Sequence, residues 1–126
     1  MSGSLQDEYI KKESLFGAQN YSPLSVVLER GEGAYLWDVD GNKYLDMVSA
    51  YSAVSHGHSH PELVNTIKEQ AEKLSITSRA FYTEPFADFL ESITKITGYE
   101  NVLTMNTGAE AVETAIKAAR RWGYFT

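Results

Sequence analysis

A segment near the end of the chain has the residue types of an anion-binding turn. Asn106-Thr107-Gly108-Ala109-Glu110-Ala111 joins a short apolar run to an amphipathic helical pattern. The first amides of a helix lack intrahelical acceptors, and the helix dipole places partial positive charge beside them. Gly108 has no Cβ, so an anion can approach its backbone closely, and the Thr107 hydroxyl adds a donor. The segment therefore predicts a phosphate site at a helix N-terminus.

A purely structural interpretation of the same residues stays open. Thr107 is a suitable N-cap residue, and a glycine turn before a helix needs no ligand. The segment matches neither a dinucleotide-binding fingerprint nor a Walker loop, because Gly108 is its only glycine. Acidic residues such as Glu110 and Glu113 in a first turn ordinarily complement the helix dipole, and Glu113 is correctly spaced to pair with Lys117.

Three histidines alternate along the chain at His56, His58 and His60. On a strand this spacing would place them on one face, as metal ligands require. However, Gly57 and Pro61 argue against a regular strand, and no carboxylate cluster accompanies the histidines. We therefore predict no metal site here and interpret the segment as a structural lead into a helix.

Hydrophobic periodicity and turn residues predict the elements that position these side chains. A helix at Pro61 has Ser59 and Glu62 spaced as a capping box, and Gly98 is the expected stop of the next helix. Asp40-Gly41-Asn42 predicts a hairpin turn. The predicted helices span residues 5–16, 61–74, 85–97 and 109–122, and the predicted strands span residues 26–28, 34–37, 44–48 and 102–105.

The last predicted strand and the helix after it form half of a βαβ unit. A strand of this kind normally lies beside a parallel neighbour and is covered on both faces. No second such strand follows before Thr126. We therefore expect the chain to be the front piece of a larger α/β protein, or to be completed by partner chains.

Composition narrows the class of protein. The 126 residues suffice for about one domain, and 43% hydrophobic with 22% charged residues is ordinary for a globular chain. The formal net charge of −6 is a poor match for nucleic acid or an anionic membrane, so neither is an expected partner. The absence of cysteine removes disulfides, thiolate metal sites and cysteine nucleophiles.

The N-terminus carries no visible targeting signal. It has neither a basic start followed by an apolar run nor the Arg-rich composition of a transit peptide. No apolar stretch approaches the ~20 residues that span a bilayer. The predicted location is the cytoplasm, and the alternative is the mitochondrial matrix for a mature form whose transit peptide has been removed.

Several motifs in order, from about Gly17 to the end, resemble one family. The segment from Asn106 to Ala115 is similar to the phosphate-cup motif of class III pyridoxal-phosphate aminotransferases. Further motifs resemble the ornithine aminotransferase branch of that family: Gly17-Ala-Gln-Asn-Tyr-Ser-Pro-Leu, Glu29-Arg-Gly-Glu-Gly with Leu36-Trp-Asp, Ser49-Ala-Tyr-Ser-Ala-Val, Gly57-His-Ser-His-Pro and Thr77-Ser-Arg-Ala-Phe-Tyr.

This resemblance implies an α/β protein of fold type I with pyridoxal 5'-phosphate as cofactor. Residues 1–75 would be a small-domain segment, with a β-meander and helix, and residues 76–126 would begin the large cofactor-binding domain. Gly108 and Ala109 would donate backbone N–H groups to the cofactor phosphate, with Thr107 beside them. The family builds each active site at a dimer interface, so the resemblance also implies a homodimer.

The resemblance assigns two tyrosines to the substrate. Tyr51 matches a residue that lines the substrate pocket, and Tyr21 matches a residue that helps to hold the substrate amino acid. The alternative for each is a half-buried core tyrosine with a satisfied hydroxyl. Acetylornithine-type relatives usually carry smaller residues around Ser49-Ala-Tyr-Ser, so the two tyrosines favour ornithine.

The expected activity is that of an ornithine δ-aminotransferase, which passes the δ-amino group of L-ornithine to 2-oxoglutarate. Alternatives are a sister aminotransferase acting on acetylornithine, 4-aminobutyrate or lysine, and a non-catalytic phosphate-binding module. Transamination needs a lysine that binds the cofactor covalently. No lysine of this chain matches it, so we expect no catalytic residue here and an inactive isolated segment. The lysines are Lys11, Lys12, Lys43, Lys68, Lys73, Lys95 and Lys117.

Overall fold

The computed structural model describes residues 4–125, and the chain divides between Ser75 and Ile76 into two units. The first unit holds one helix, a three-stranded meander, a one-turn element and a second long helix; the second unit holds two helices. In chain order the elements are α1 (Leu5–Phe16), β1 (Leu28–Glu32), β2 (Tyr35–Asp38), β3 (Lys43–Leu45), α2 (Ser49–Ser52), α3 (Pro61–Lys73), α4 (Glu84–Thr97) and α5 (Gly108–Phe125).

The predicted α1 is confirmed, and a capping box sets its start. The Ser4 hydroxyl accepts a hydrogen bond from the Asp7 amide, and the Asp7 carboxylate accepts one from the Ser4 amide. The box satisfies two backbone donors at the helix end, which lack other partners.

The three strands pair in the order β1-β2-β3, and both pairings are antiparallel. The Asp40-Gly41-Asn42 turn is confirmed, with Gly41 at a φ of 87° that suits glycine. The first strand begins at Leu28, later than predicted, because the Val27 amide donates to the Gln6 side chain instead of to a strand. The third ends at Leu45 because the chain turns at Asp46, whose carboxylate binds the Val48 amide.

A buried carboxylate ties the meander to α1. Asp38 is fully buried. Its Oδ1 accepts from the amides of Asp40 and Asn42, at 3.0 and 2.8 Å. Its Oδ2 accepts from the Tyr44 hydroxyl at 2.7 Å, the Asn42 side chain at 3.0 Å and the Gln6 side chain at 3.2 Å. Burial raises the pKa of a carboxyl group, but the hydrogen bonds from Tyr44, Asn42 and Asp40 outweigh it and lower the pKa of Asp38 to about 2.

The predicted capping box at Ser59 is wrong. Pro61 is the first residue of α3, so the N-cap is His60, which makes no side-chain hydrogen bond to the helix end. Proline suits the first helical position because its missing N–H has no intrahelical role there. The stop of α4 at Gly98 is confirmed, since Gly98 adopts a left-handed φ of 74°.

Residues 102–105 are not a strand, so that prediction is wrong for the described part of the chain. A strand is defined by hydrogen bonds to a neighbour, and no described residue pairs with this segment. Helix α5 still follows at once, from Gly108. Helices with a small antiparallel sheet agree with the predicted α/β class.

Apolar side chains in the described residues remain largely open to solvent. No apolar side chain between residues 4 and 125 is fully buried. The apolar face of α5 is open, with Val112 61%, Ile116 55% and Trp122 71% exposed. None of the described helices combines the length and apolar character needed to cross a membrane.

The Asp38 network predicts a specific acid dependence in the full-length polypeptide that contains this chain. The folded pKa of about 2 lies below the ordinary value of 3.8, so the unfolded state binds more protons on acidification. The wild type should have a higher urea midpoint of unfolding than Asp38→Asn. This difference in midpoint should be largest above about pH 4 and should shrink toward pH 2. Asp88→Asn, at an exposed carboxylate outside the network, is the control; a difference independent of pH would contradict the network.

Candidate functional site

A capping box organises the start of α5. The Thr107 hydroxyl accepts from the Glu110 amide at 3.1 Å, and Glu110 Oε2 accepts from the Thr107 amide at 3.2 Å. The same carboxylate oxygen accepts from the Asn106 amide at 2.9 Å. The structural interpretation of Thr107 as a cap is therefore confirmed. The Thr-x-x-Glu spacing signals this box, and sequence reasoning had assigned Glu110 only to the helix dipole.

The box leaves two neighbouring amides open. No described residue accepts a hydrogen bond from the N–H groups of Gly108 and Ala109, which we call the amide pair. They are the first two residues of an 18-residue helix, where the dipole adds positive potential. A Cβ built at Gly108 would meet no atom within 4 Å, so packing inside the described chain does not require glycine there.

The chemistry of this donor set suits a phosphate group. The amide pair offers two consecutive backbone N–H donors. The Thr107 hydroxyl accepts from the Glu110 amide through a lone pair, so its own proton is still available to donate. The Glu110 carboxylate opposes a dianion at the same helix end, since like charges repel. Glu110 is exposed, so solvent and salt screen that repulsion. The predicted roles of Thr107, Gly108 and Ala109 in cofactor binding stay predictions.

Tyr51 lies in α2, whose single turn is left-handed. Ser49, Ala50, Tyr51 and Ser52 have φ values of 49°, 46°, 55° and 73°. Left-handed backbone costs an L-residue about 1–2 kcal/mol, and such residues normally occur singly. Backbone strain of this kind clusters at binding and catalytic sites, where the surrounding structure holds it in place. The Tyr51 side chain is 87% exposed, so it is not a core tyrosine within the described chain.

Asp46 and His58 close the segment that carries Tyr51, and we call residues 46–58 the Tyr51 loop. Asp46 Oδ1 accepts from the amides of Val48 and Ser49, each at 2.9 Å, and His58 Nε2 lies 2.7 Å from Asp46 Oδ2. Hydrogen bonds from the Ser49 amide and from His58 lower the pKa of Asp46 below its ordinary value.

Tyr21 lies elsewhere in the first unit. It lines a groove of about 800 Å³ between α1 and residues 17–28, and its side chain is 75% exposed. The two tyrosines stand on separate segments of this unit, and the amide pair belongs to the second unit. Their predicted roles toward the substrate stay predictions.

The three histidines have different environments. His58 pairs with Asp46, and His56 Nδ1 lies 3.2 Å from the Ser55 hydroxyl. His60 Nδ1 is buried without a hydrogen-bond partner among the described residues. Within residues 4–125 no His, Asp and Glu side chains form a group of three that could hold a metal ion.

Comparison with known proteins identifies the family. The family model for class-III aminotransferases matches residues 16–126. Mitochondrial ornithine aminotransferase of Rattus norvegicus is 55% identical over 123 residues, which cover 97% of this chain and 28% of the rat protein. The chain thus spans less than a third of the length of this relative.

Solved structures agree with this match. An acetylornithine aminotransferase from Elizabethkingia anophelis is 54% identical with a TM-score of 0.92, over 96% of this chain and 32% of that one. An ornithine aminotransferase from Toxoplasma gondii, with partial occupancy of PLP at its active site, is 39% identical with a TM-score of 0.91. That match covers 94% of this chain and 28% of the other.

These matches confirm the predicted α/β fold of the pyridoxal-phosphate aminotransferases for this chain. The chain belongs to the class-III aminotransferase family.

The capping box predicts the behaviour of a peptide spanning residues 104–125. Thr107→Val keeps the side-chain shape but removes the hydroxyl that accepts from Glu110. Loss of an N-cap costs about 1 kcal/mol, so far-ultraviolet circular dichroism should show lower helicity. Thr107→Ser keeps the hydroxyl and should retain most of the helicity. Equal loss in both variants would show that the hydroxyl does not cap α5.

Proposed function

We propose that this chain is part of an ornithine δ-aminotransferase, which transfers the δ-amino group of L-ornithine to 2-oxoglutarate with pyridoxal 5'-phosphate. The observation that carries the proposal is the amide pair at α5, in a chain 55% identical to a rat ornithine aminotransferase. Because the chain spans 28% of that protein, the activity is proposed for the full-length polypeptide that contains it.

The amide pair would bind the cofactor phosphate. When bound, pyridoxal phosphate supplies an electron sink at the reacting carbon and carries the amino group between the two substrates. Gly108 and Ala109 would donate their N–H groups to phosphate oxygens, and Thr107 would donate its free hydroxyl proton. These donors are fixed by the capping box, so binding requires little reordering of this backbone.

Tyr51 and Tyr21 would contact the amino donor. Each phenol combines an apolar ring, suited to a methylene chain, with a hydroxyl that hydrogen-bonds a polar end. Both side chains are largely exposed in the described chain, so neither has its ring committed to a core. Tyr51 within Ser49–Ser52, together with Tyr21, favours ornithine over acetylornithine, as in the branch that the sequence resembles.

The covalently bound lysine would come from another part of the polypeptide. Several of the chain's lysines have other contacts: Lys95 pairs with Glu91, Lys117 with Glu113, and Lys43 lies over the Tyr35 ring.

Exposed apolar side chains on α4 and α5, such as Phe89 and Trp122, would be covered by further chain or by the second subunit of a homodimer. We therefore propose that the isolated segment is inactive.

The proposed partners are small molecules and a second copy of the enzyme, without nucleic acid or membrane. The proposed location is the cytoplasm, with the mitochondrial matrix as the alternative that the name of the rat relative supports. A second candidate activity is acetylornithine transamination, because the Elizabethkingia anophelis neighbour is 54% identical.

Substrate kinetics of the full-length polypeptide test the proposed activity. Initial rates with 2-oxoglutarate should give a higher kcat/KM for L-ornithine than for acetylornithine, 4-aminobutyrate or lysine. Binding sites that hydrogen-bond a polar substrate group reject analogues strongly, so a preference of at least about tenfold is expected. A preference for acetylornithine would select the second candidate, and no transamination of any amine would overturn both.

Two substitutions of Gly108 test the amide pair. Gly108→Pro removes one donor at the first helical position, where proline is compatible with a helix. Gly108→Ala keeps the donor, and its Cβ meets open space in this chain. A hydrogen bond to a charged group contributes about 1.5–3 kcal/mol, so the proline variant should bind the cofactor at least about tenfold more weakly.

The readout is the dissociation constant for pyridoxal phosphate compared with that for pyridoxal, which lacks the phosphate. In the full-length polypeptide, Gly108→Pro should weaken binding of the phosphorylated compound selectively, and Gly108→Ala should change it less. Parallel loss of both ligands would show that the substitution disturbs the fold, and an unchanged constant would remove the amide pair from the cofactor site.

A further inference from the structure

The Tyr51 loop holds a backbone conformation that its own sequence does not favour. Ser49, Ala50, Tyr51 and Ser52 all have positive φ, and none of them is glycine. Hydrogen bonds within the turn run from the Tyr51 amide to the Val48 carbonyl and from the Val54 amide to the Ser49 carbonyl. Turns of either hand can form such bonds, so something else must select the left-handed form.

Asp46 fixes the entry to this turn. Its Oδ1 accepts from the amides of Val48 and Ser49, both at 2.9 Å. Val48 is the residue before the left-handed segment, and Ser49 is its first residue. Holding their amides therefore fixes the direction in which the chain enters the left-handed turn. The Asp46 side chain is only 9% exposed, which limits competition by water for its carboxylate oxygens.

His58 fixes Asp46 in turn. His58 Nε2 lies 2.7 Å from Asp46 Oδ2, and its side chain is 21% exposed. The His58 backbone exchanges two hydrogen bonds with Gly33, at 3.0 and 2.8 Å, which attaches the end of the loop to the meander. A Cβ on Gly31 would lie 2.8 Å from the His58 ring, so the ring packs directly on β1.

We propose that Asp46 and His58 are positioning residues that hold Tyr51 in place for recognition of the amino donor. This inference rests on the proposed function, because it assumes that Tyr51 meets a substrate. Neither Asp46 nor His58 touches the substrate itself: both act through the left-handed turn. Loosening the pair therefore weakens the amino donor's binding while leaving the amide pair of the second unit intact.

A double-mutant cycle in the full-length enzyme tests this coupling. Asp46→Ala removes both amide contacts, which are hydrogen bonds to a charged group, and should raise the KM for the amino donor about tenfold, with a smaller change in kcat. Asp46→Asn keeps an oxygen for the two amides and should lie between wild type and Asp46→Ala. In a Tyr51→Ala background, Asp46→Ala should add little, because the contact that it positions is already absent.

The control is Asp7→Asn, which alters an exposed carboxylate that likewise accepts a backbone amide, in the capping box of α1. It should leave KM unchanged. His58→Gln keeps a side-chain N–H donor and should restore part of the affinity that His58→Ala loses. A purely structural pair would lower the melting temperature without this rescue pattern or the dependence on Tyr51.

Hydrogen–deuterium exchange provides a readout without substrate or turnover. In Asp46→Ala, the amides of Val48 and Ser49 should exchange at least about tenfold faster, because the loop opens more easily, while α1 and α5 keep their wild-type rates. Unchanged exchange in the Tyr51 loop, an unchanged KM, or additive effects in the Tyr51→Ala background would each overturn the proposal. If the wild-type enzyme does not transaminate ornithine, the proposed function is wrong, and this inference is tested separately. The double-mutant cycle is then measured with the amine that the enzyme prefers and is judged by the same criteria.

Discussion

The first unit depends on the buried carboxylate of Asp38. Five donors converge on its two oxygens, from the hairpin turn, from β3 and from Gln6 on α1. Such convergence offsets the desolvation of a buried charge, because each lone pair is satisfied. No apolar side chain in residues 4–125 is fully buried, so this polar network rather than a hydrophobic core connects α1 to the sheet within the described chain.

Carboxylates also accept backbone amides at two other places where the chain leaves regular secondary structure. Asp46 binds two amides at the entry to the Tyr51 loop, and Glu110 binds two at the start of α5. In each case a carboxylate accepts hydrogen bonds from backbone amides that have no acceptor in a helix or a sheet. At α5 the carboxylate reaches only the amides that precede the helix. Gly108 and Ala109 are left over, and this incomplete cap is what makes the helix end available to a ligand.

Local chemistry predicted the features that depend on one or two residues. The turn at Gly41, the stop at Gly98 and the span of α1 follow from backbone preferences that operate without tertiary contacts. Residues 102–105 failed because strand formation requires a partner that the described chain does not provide. The capping box at Ser59 failed because Pro61 sets the helix start one residue later than that box requires.

The left-handed turn could not be predicted from Ser49-Ala-Tyr-Ser, whose residues individually favour right-handed or extended backbone. Its conformation is selected by Asp46 and His58, which are three or more residues away and acquire their roles only in the folded unit. The features that would bind the cofactor differ in the same way from those that would select the amino donor. A pair of backbone amides binds a phosphate whichever amine is transferred, so the amide pair carries no information about the amino donor. Under the proposed function, discrimination between ornithine and its relatives would come from side chains such as Tyr51, and so from the interactions that hold the Tyr51 loop.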